Sequence, residues 1–312
     1  MYKILSIDGG GIKGVFPVSF LATIEEDLEG KSIVEYFDLI VGTSTGGLIA
    51  LALSLGFRAS EILKFYEEFG PQIFERRGLL SQLSKAKYAQ EPLKKALQEL
   101  FQDKVIGDCK TRLIIPSVNL NTGEVYMYKT AHHERFRSDY KKPIIEAALA
   151  TSAAPTYFPV QFDSAGAALV DGGICANNPA GLAAVEAVSV LGWPVGNVQL
   201  LSIGCTMEPI LVDSDRSAGD MGAAQWGMNL LHLTMAAQSS LSYGTAQLLL
   251  GHQNVHRICP VVGNGKFSLD GVDKIPELKG IGSVEGRKAK SLFWDIFLKR
   301  EAELFLPIYQ LV

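Results

Sequence analysis

The chain has 312 residues and a formal charge of −4, with 47% hydrophobic and 20% charged residues. That composition supplies a large packed core and excludes intrinsic disorder, while the acidic balance excludes an electrostatic footprint for a nucleic-acid polymer. Four scattered cysteines without CxxC spacing (Cys109, Cys175, Cys205 and Cys259) predict neither a zinc site nor a disulfide framework, but reduced cytoplasmic thiols.

Strand and helix signals alternate in the α/β manner, and one domain over residues 1–312 is the simplest division. The opening "MYKILSIDGGG" carries neither a basic leader nor a long apolar region, and the longest apolar run, Leu48–Leu55, is too short to span a bilayer. The first predicted strand, Lys3–Ile7, runs through "DGGGIKG" into a helix over Val15–Leu28. Gly9-x-Gly11-x-x-Gly14 matches the dinucleotide-binding pattern of an oxidoreductase, with Glu29 or Glu35 as the acidic residue that pattern needs. Against it, Asp8 sets a carboxylate beside the incoming pyrophosphate. The other use of adjacent glycines is to turn backbone N–H groups toward a developing oxyanion.

The second strand, Asp38–Val41, ends in Gly42-Thr43-Ser44-Thr45-Gly46 before a helix over Thr45–Leu55. This is G-x-S-x-G in a strand–turn–helix context, where Gly42 and Gly46 make room for a strained turn that lifts Ser44 into reach of a substrate. The simpler alternative is that the hydroxyls cap the helix, but one cap residue explains neither flanking glycine.

Predicted helices over Ser60–Phe69 and Glu91–Phe101, strands over Arg112–Val118 and Val125–Lys129, and a helix over Pro143–Ala150 lead to a strand at Ala168–Val170. There "VDGGICANNPA" places Asp171 before two glycines, either as an ordinary turn residue or as a base for Ser44. Among the histidines, His132 and His133 precede Asp171, the wrong chain order for an α/β-hydrolase triad, and His232 lies in an apolar helix. Either His252 or His256 serves as base, or Asp171 activates Ser44 directly. The remaining predicted elements are helices Pro179–Leu191 and Gly222–Leu250, strands Val198–Ile203 and Val255–Cys259, a loop, and a helix over Glu285–Leu304. The 222–250 helix, with Trp226, Met228, Leu230, Leu231, Leu233 and Met235, reads as buried in the core or between copies of a homo-oligomer. The last helix is amphipathic, with Phe293, Ile296, Phe297 and Leu304 opposing basic residues, and suits either the sheet or a bilayer surface.

Together and in order, "DGGGIKG", "GTSTGG" and "DGG" resemble the three signature blocks of patatin-like phospholipases. "KYAQEPLKKALQELFQD", "RLIIPSVNLNTGEVYMY", "AALATSAAPTYFPV" and "SIGC" are also similar to that family, over about residues 3 to 205. The resemblance implies a three-layer α/β/α fold with a central, mostly parallel sheet. It further implies a Ser44–Asp171 dyad that cleaves acyl esters of membrane phospholipids, with Gly10 and Gly11 as oxyanion-hole donors and no cofactor or metal. Gly9, Lys13 and Gly14 complete the supporting loop. Lys13 stands where the family usually has arginine, keeping the charge but losing the bidentate fork; Gly173 replaces a common alanine. A non-catalytic lipid-binding relative is disfavoured by the presence of both Ser44 and Asp171. The compact form resembles bacterial members that cyclic nucleotides switch on in anti-phage defence, implying a cyclic dinucleotide activator and action of a cytoplasmic protein at the membrane surface.

Overall fold

The structure, a computed structural model, describes residues 1–76, 85–209 and 223–310. Five strands form a parallel core: β1 (Tyr2–Ile7), β2 (Leu39–Gly42), β3 (Arg112–Asn119), β7 (Val198–Ile203) and β8 (Val255–Ile258). Three more, β4 (Val125–Lys129), β5 (Gln161–Phe162) and β6 (Ala168–Asp171), join antiparallel beside β3. The order is β5-β6-β3-β2-β1-β7-β8, with β4 paired to β3 alone.

Alternation along the central strands divides the interior into two apolar layers. Leu5, Ile40, Leu113 and Leu201 enter one; Ile4, Leu39, Ile114 and Leu200 enter the other. The first layer is covered by α1 (Val15–Glu25), α2 (Thr45–Ser54), α3 (Ala59–Ile73), α4 (Gln90–Phe101), α5 (Ile144–Thr151) and α9 (Ile275–Phe293). The second is covered by α7 (Ala180–Val185) and the end of α8 (Ala223–Leu250), through Ala180, Ala183, Ala184, Ala246 and Leu250. A short α6 (Gly173–Ala176) follows β6. The result is the three-layer α/β/α architecture with a mostly parallel sheet.

The edge of β3 opposite β4 is shared by two strands. β2 pairs with Arg112–Ile114, and β6 pairs in the opposite direction with Ser117–Asn119. Between them lies Pro116, which has no N–H to leave unsatisfied. The carboxyl ends of β2 and β6 therefore point at each other across this gap, which brings Ser44 and Asp171 together.

Three readings of the sequence change. The last helix starts at Ile275, ten residues before the expected position, because Pro276 occupies its first turn, where proline is tolerated. It ends near Leu298 after a π turn, with Phe293 buried against Phe20 of α1 and Phe297 buried against Phe37, so its apolar face packs on α1 instead of lying on a bilayer; Leu304 is exposed outside it. The helix over 180–190 is α only as far as Val185 and closes with a π turn. Burial of α8 in the core does not extend to Trp226, Leu230 and Leu233, which are exposed in the single chain. At 28 residues this helix is ~42 Å long, about twice the length of the strands it crosses, so its first half outruns the sheet. Gly222 and the side chains of Met228, Leu231 and His232 lie outside the described residues.

Candidate active site

At the end of β2 the chain reverses through Ser44, whose φ of 53° and ψ of −124° are sterically costly for a residue with a side chain. The turn is tight enough to require both flanking glycines. A Cβ on Gly42 would stand 2.1 Å from Gly46 O, and one on Gly46 would stand 2.3 Å from Ile7 O. Helix capping does not account for the hydroxyls: Thr43 Oγ1 donates to Ala176 O at 2.7 Å, Thr45 Oγ1 meets Tyr66 OH, and Ser44 makes no side-chain cap. Instead Ser44 Oγ donates to Asp171 Oδ2 at 2.6 Å.

Asp171 ends β6 and is buried. Its second oxygen, Oδ1, accepts from Gly173 N at 2.6 Å, so the glycine turn after β6 orients the carboxylate. Burial pushes its pKa up to about 6, although the bonds from Ser44 and Gly173 pull the other way. A carboxylate with that pKa accepts a proton near neutrality far better than an exposed one.

The loop after β1 closes the third side. Gly9 N donates to Asn177 O and Ile12 N to Leu269 O, at 2.9 and 2.8 Å. Gly10 and Gly11 line the cavity beside Ser44 and Asp171, and their N–H groups make no hydrogen bond among the described residues. Gly11 has φ +57°, and its hydrogen faces Leu269 O, so glycine is needed there both for conformation and for space. Gly14 packs on Thr45 Oγ1 and Tyr66 OH. Lys13 lies outside the cavity wall, and its charge acts on Cys205 and Cys259. A dinucleotide loop is not what these glycines build: a Cβ on Gly9 would lie 3.2 Å from Ser44 Cβ, so the loop packs against the elbow.

The cavity is apolar away from these groups, walled by Leu48, Phe65, Phe74, Leu93, Phe158 and Met235. It opens to solvent, and its apolar wall matches the chemistry of an acyl chain. Neither late histidine reaches it: His256 Nε2 bonds Gln199 Oε1 at 3.0 Å, and His252 is exposed. His132 is buried against Glu186 at 2.9 Å, also away from the cavity wall. Among the described residues no cluster of His, Cys, Asp or Glu suits a metal ion, and no helix is long and apolar enough to cross a membrane.

Sequence reasoning did not find Thr151, Asn177, Tyr66 or Leu269 as members of this site. Thr151 and Asn177 sit inside stretches singled out above, "ATSAAP" and "CANNPA", where their hydroxyl and amide chemistry was the available signal. Leu269 carried none.

A family model described as patatin-like phospholipase matches residues 5–184. The chain belongs to the patatin-like phospholipases. Its similar relatives include two proteins named "cGAMP-activated phospholipase". That of Pseudomonas aeruginosa is 35% identical over 275 residues, covering 86% of this chain and 78% of its own. That of Vibrio cholerae is 37% identical over 271 residues, covering 77% and 75%. Among solved structures, VipD from Legionella pneumophila superimposes with a TM-score of 0.53 at 14% identity, over 94% of this chain and 66% of that one. That likeness concerns the fold. Membership of this family makes the chain a hydrolase and overturns the dinucleotide-dependent oxidoreductase alternative.

Proposed function

We propose that this patatin-like enzyme hydrolyses fatty-acyl esters of membrane phospholipids through Ser44 and Asp171, acting as one domain at the membrane surface. The reading rests on one observation above all: a 2.6 Å hydrogen bond from Ser44 Oγ to a buried carboxylate at the floor of an apolar cavity. Ser44 Oγ attacks the ester carbonyl while Asp171 takes its proton; Asp171 then protonates the departing alcohol, leaving an acyl-serine. Water, deprotonated by Asp171, releases the fatty acid and restores the serine. The unengaged amides of Gly10 and Gly11 receive the oxyanion, and each such donor is worth ~2.7–4 kcal/mol of barrier. Lys13 supports the loop electrostatically.

Two features support action on a bilayer. The cavity wall is apolar, and Met235 carries it onto α8, whose Trp226, Leu230 and Leu233 face solvent. The names of the relatives support activation by a cyclic dinucleotide; the role of an antiviral effector is our inference from the family resemblance alone.

The experiment is fatty-acid release from mixed phospholipid vesicles, read by mass spectrometry with and without cGAMP. Wild-type protein releases fatty acid, and release increases with cGAMP. Ser44→Ala and Asp171→Asn release none, and a fluorophosphonate probe labels wild type but not Ser44→Ala. Full activity in folded Ser44→Ala protein would remove the assignment. Release that ignores cGAMP would remove the activator alone.

A further inference from the structure

Asp8 is the last residue before the Gly9–Gly11 loop, and it is buried. Two strands away, on β8, Arg257 turns its guanidinium back across β7 to meet it. Nη1 donates to Asp8 Oδ1 at 2.8 Å and Nη2 to Asp8 Oδ2 at 2.5 Å, a fork-on-fork pair. Nη1 also donates to Ser202 Oγ at 2.6 Å.

The sheet is built to let this side chain pass. Ser6 on β1, Ser202 on β7 and Arg257 on β8 lie in one register row, so small residues line the route. Just past the end of β7 is Gly204, where a Cβ would stand 2.7 Å from Arg257 Nη2 and 2.5 Å from Cys259 Sγ. The loop above packs on the same region, since a Cβ on Gly10 would lie 2.4 Å from Cys205 Sγ. Asp8 N is held by Ile203 O at 2.9 Å. The backbone before Gly9 is thus gripped from both its amide and its side chain.

A buried ion pair is a weak source of net stability, because desolvation cancels most of the attraction. It is a strong source of orientation, because a bidentate pair has one preferred plane. We propose that Arg257 is a positioning residue for the hydrolysis, a strut that fixes Asp8 so that the Gly10 and Gly11 amides face the reacting carbonyl. The inference rests on reading those amides as the oxyanion site.

The test compares wild type with Arg257→Met, Arg257→Lys and the charge-free pair Asp8→Asn/Arg257→Met in the full chain, with and without cGAMP. The substrates are a soluble short-chain ester and its thionoester, whose sulfur accepts hydrogen bonds poorly and so gains little from oxyanion donors. In Arg257→Met kcat on the oxygen ester falls about 100-fold, as for a misplaced reacting group, with little change in KM. The preference for the oxygen ester shrinks in parallel. Arg257→Lys retains the charge without the fork and shows a smaller loss on both measures. The charge-free pair keeps a near-wild-type melting temperature yet remains impaired, and it carries the test if Arg257→Met does not fold.

The strut stands only if both kcat and the ester preference change. A folded variant with kcat within about twofold of wild type, or with lowered kcat but an intact preference, overturns it. A wild-type enzyme with no preference between the two esters would instead remove the oxyanion reading of the loop. Loss of activity in Ser44→Ala, measured in parallel, separates both outcomes from a failure of the serine assignment.

Discussion

The Ser44 amide is tethered to Thr151: Ser44 N donates to Thr151 Oγ1 at 3.0 Å, and that hydroxyl donates onward to Pro116 O at 2.7 Å. The relay ties the serine turn to β3 at the gap between β2 and β6, and Thr151, at the end of α5, is buried. Replacing Thr151 by Val leaves a buried amide and a buried carbonyl without partners, at a cost of about 1–3 kcal/mol. Thr151→Val is expected to lower the denaturant midpoint accordingly and to reduce kcat about tenfold through a mispositioned hydroxyl. Thr151→Ser, which keeps the oxygen, recovers most of both. Equilibrium unfolding and steady-state kinetics on the same preparations check this.

In the proposed mechanism Asp171 must be ionised to act as base, and burial pushes its pKa up to about 6. kcat/KM is therefore expected to climb as pH rises through about 6 and to level off above it. Stability moves the opposite way. The folded pKa exceeds the ordinary 3.8, so the carboxyl's contribution is fully present below 3.8 and is lost as pH rises through about 6. Above that pH the ionised, buried group costs up to about 3 kcal/mol. Asp171→Asn should thus melt higher than wild type at pH 8, with the difference shrinking as pH falls below 6. A pH-independent difference would sink this account.

The left-handed φ of Ser44 carries a strain of about 1–3 kcal/mol that glycine would not feel. Ser44→Gly and Ser44→Ala are both expected to be inactive. Ser44→Gly should be the more stable of the two by about 1 kcal/mol, because its greater unfolded-state entropy offsets only part of the relief. Thermal melts of the two variants side by side decide the matter.

Leu230 and Leu233 are 54% and 43% exposed on α8, on the helix that carries Met235 into the cavity wall. Leu230→Glu/Leu233→Glu is expected to reduce co-sedimentation with vesicles and activity on them, while sparing hydrolysis of a soluble short-chain ester. Equal losses on both substrates would point to damage inside the site instead of lost contact with the bilayer.

The strands, the elbow and the glycine loop were legible because each is written in neighbouring residues, with alternation or a spaced glycine as its signature. Gly42, Ser44 and Gly46 announce a turn without any knowledge of what surrounds it. Arg257 and Leu269 announce nothing: one reads as an ordinary strand residue, the other as a loop leucine, and only the sheet order brings them to the loop after β1. The start of α9 was hidden for a local reason, since Pro276, Gly280 and Gly282 spell a loop. Yet Gly282 is there to let two helices touch, as its Cβ would lie 2.6 Å from Phe16 O. The exposure of α8 was illegible in composition, because apolar residues imply burial only when the structure supplies something to bury them against.

Ser44 and Asp171 are 127 positions apart and share β3 as their meeting ground. During synthesis the serine turn leaves the ribosome long before the strand that ends in the aspartate exists. A fragment lacking that strand has no carboxylate beside the serine, so the proposed dyad does not exist in it. Completion of the sheet is what assembles the proposed pair.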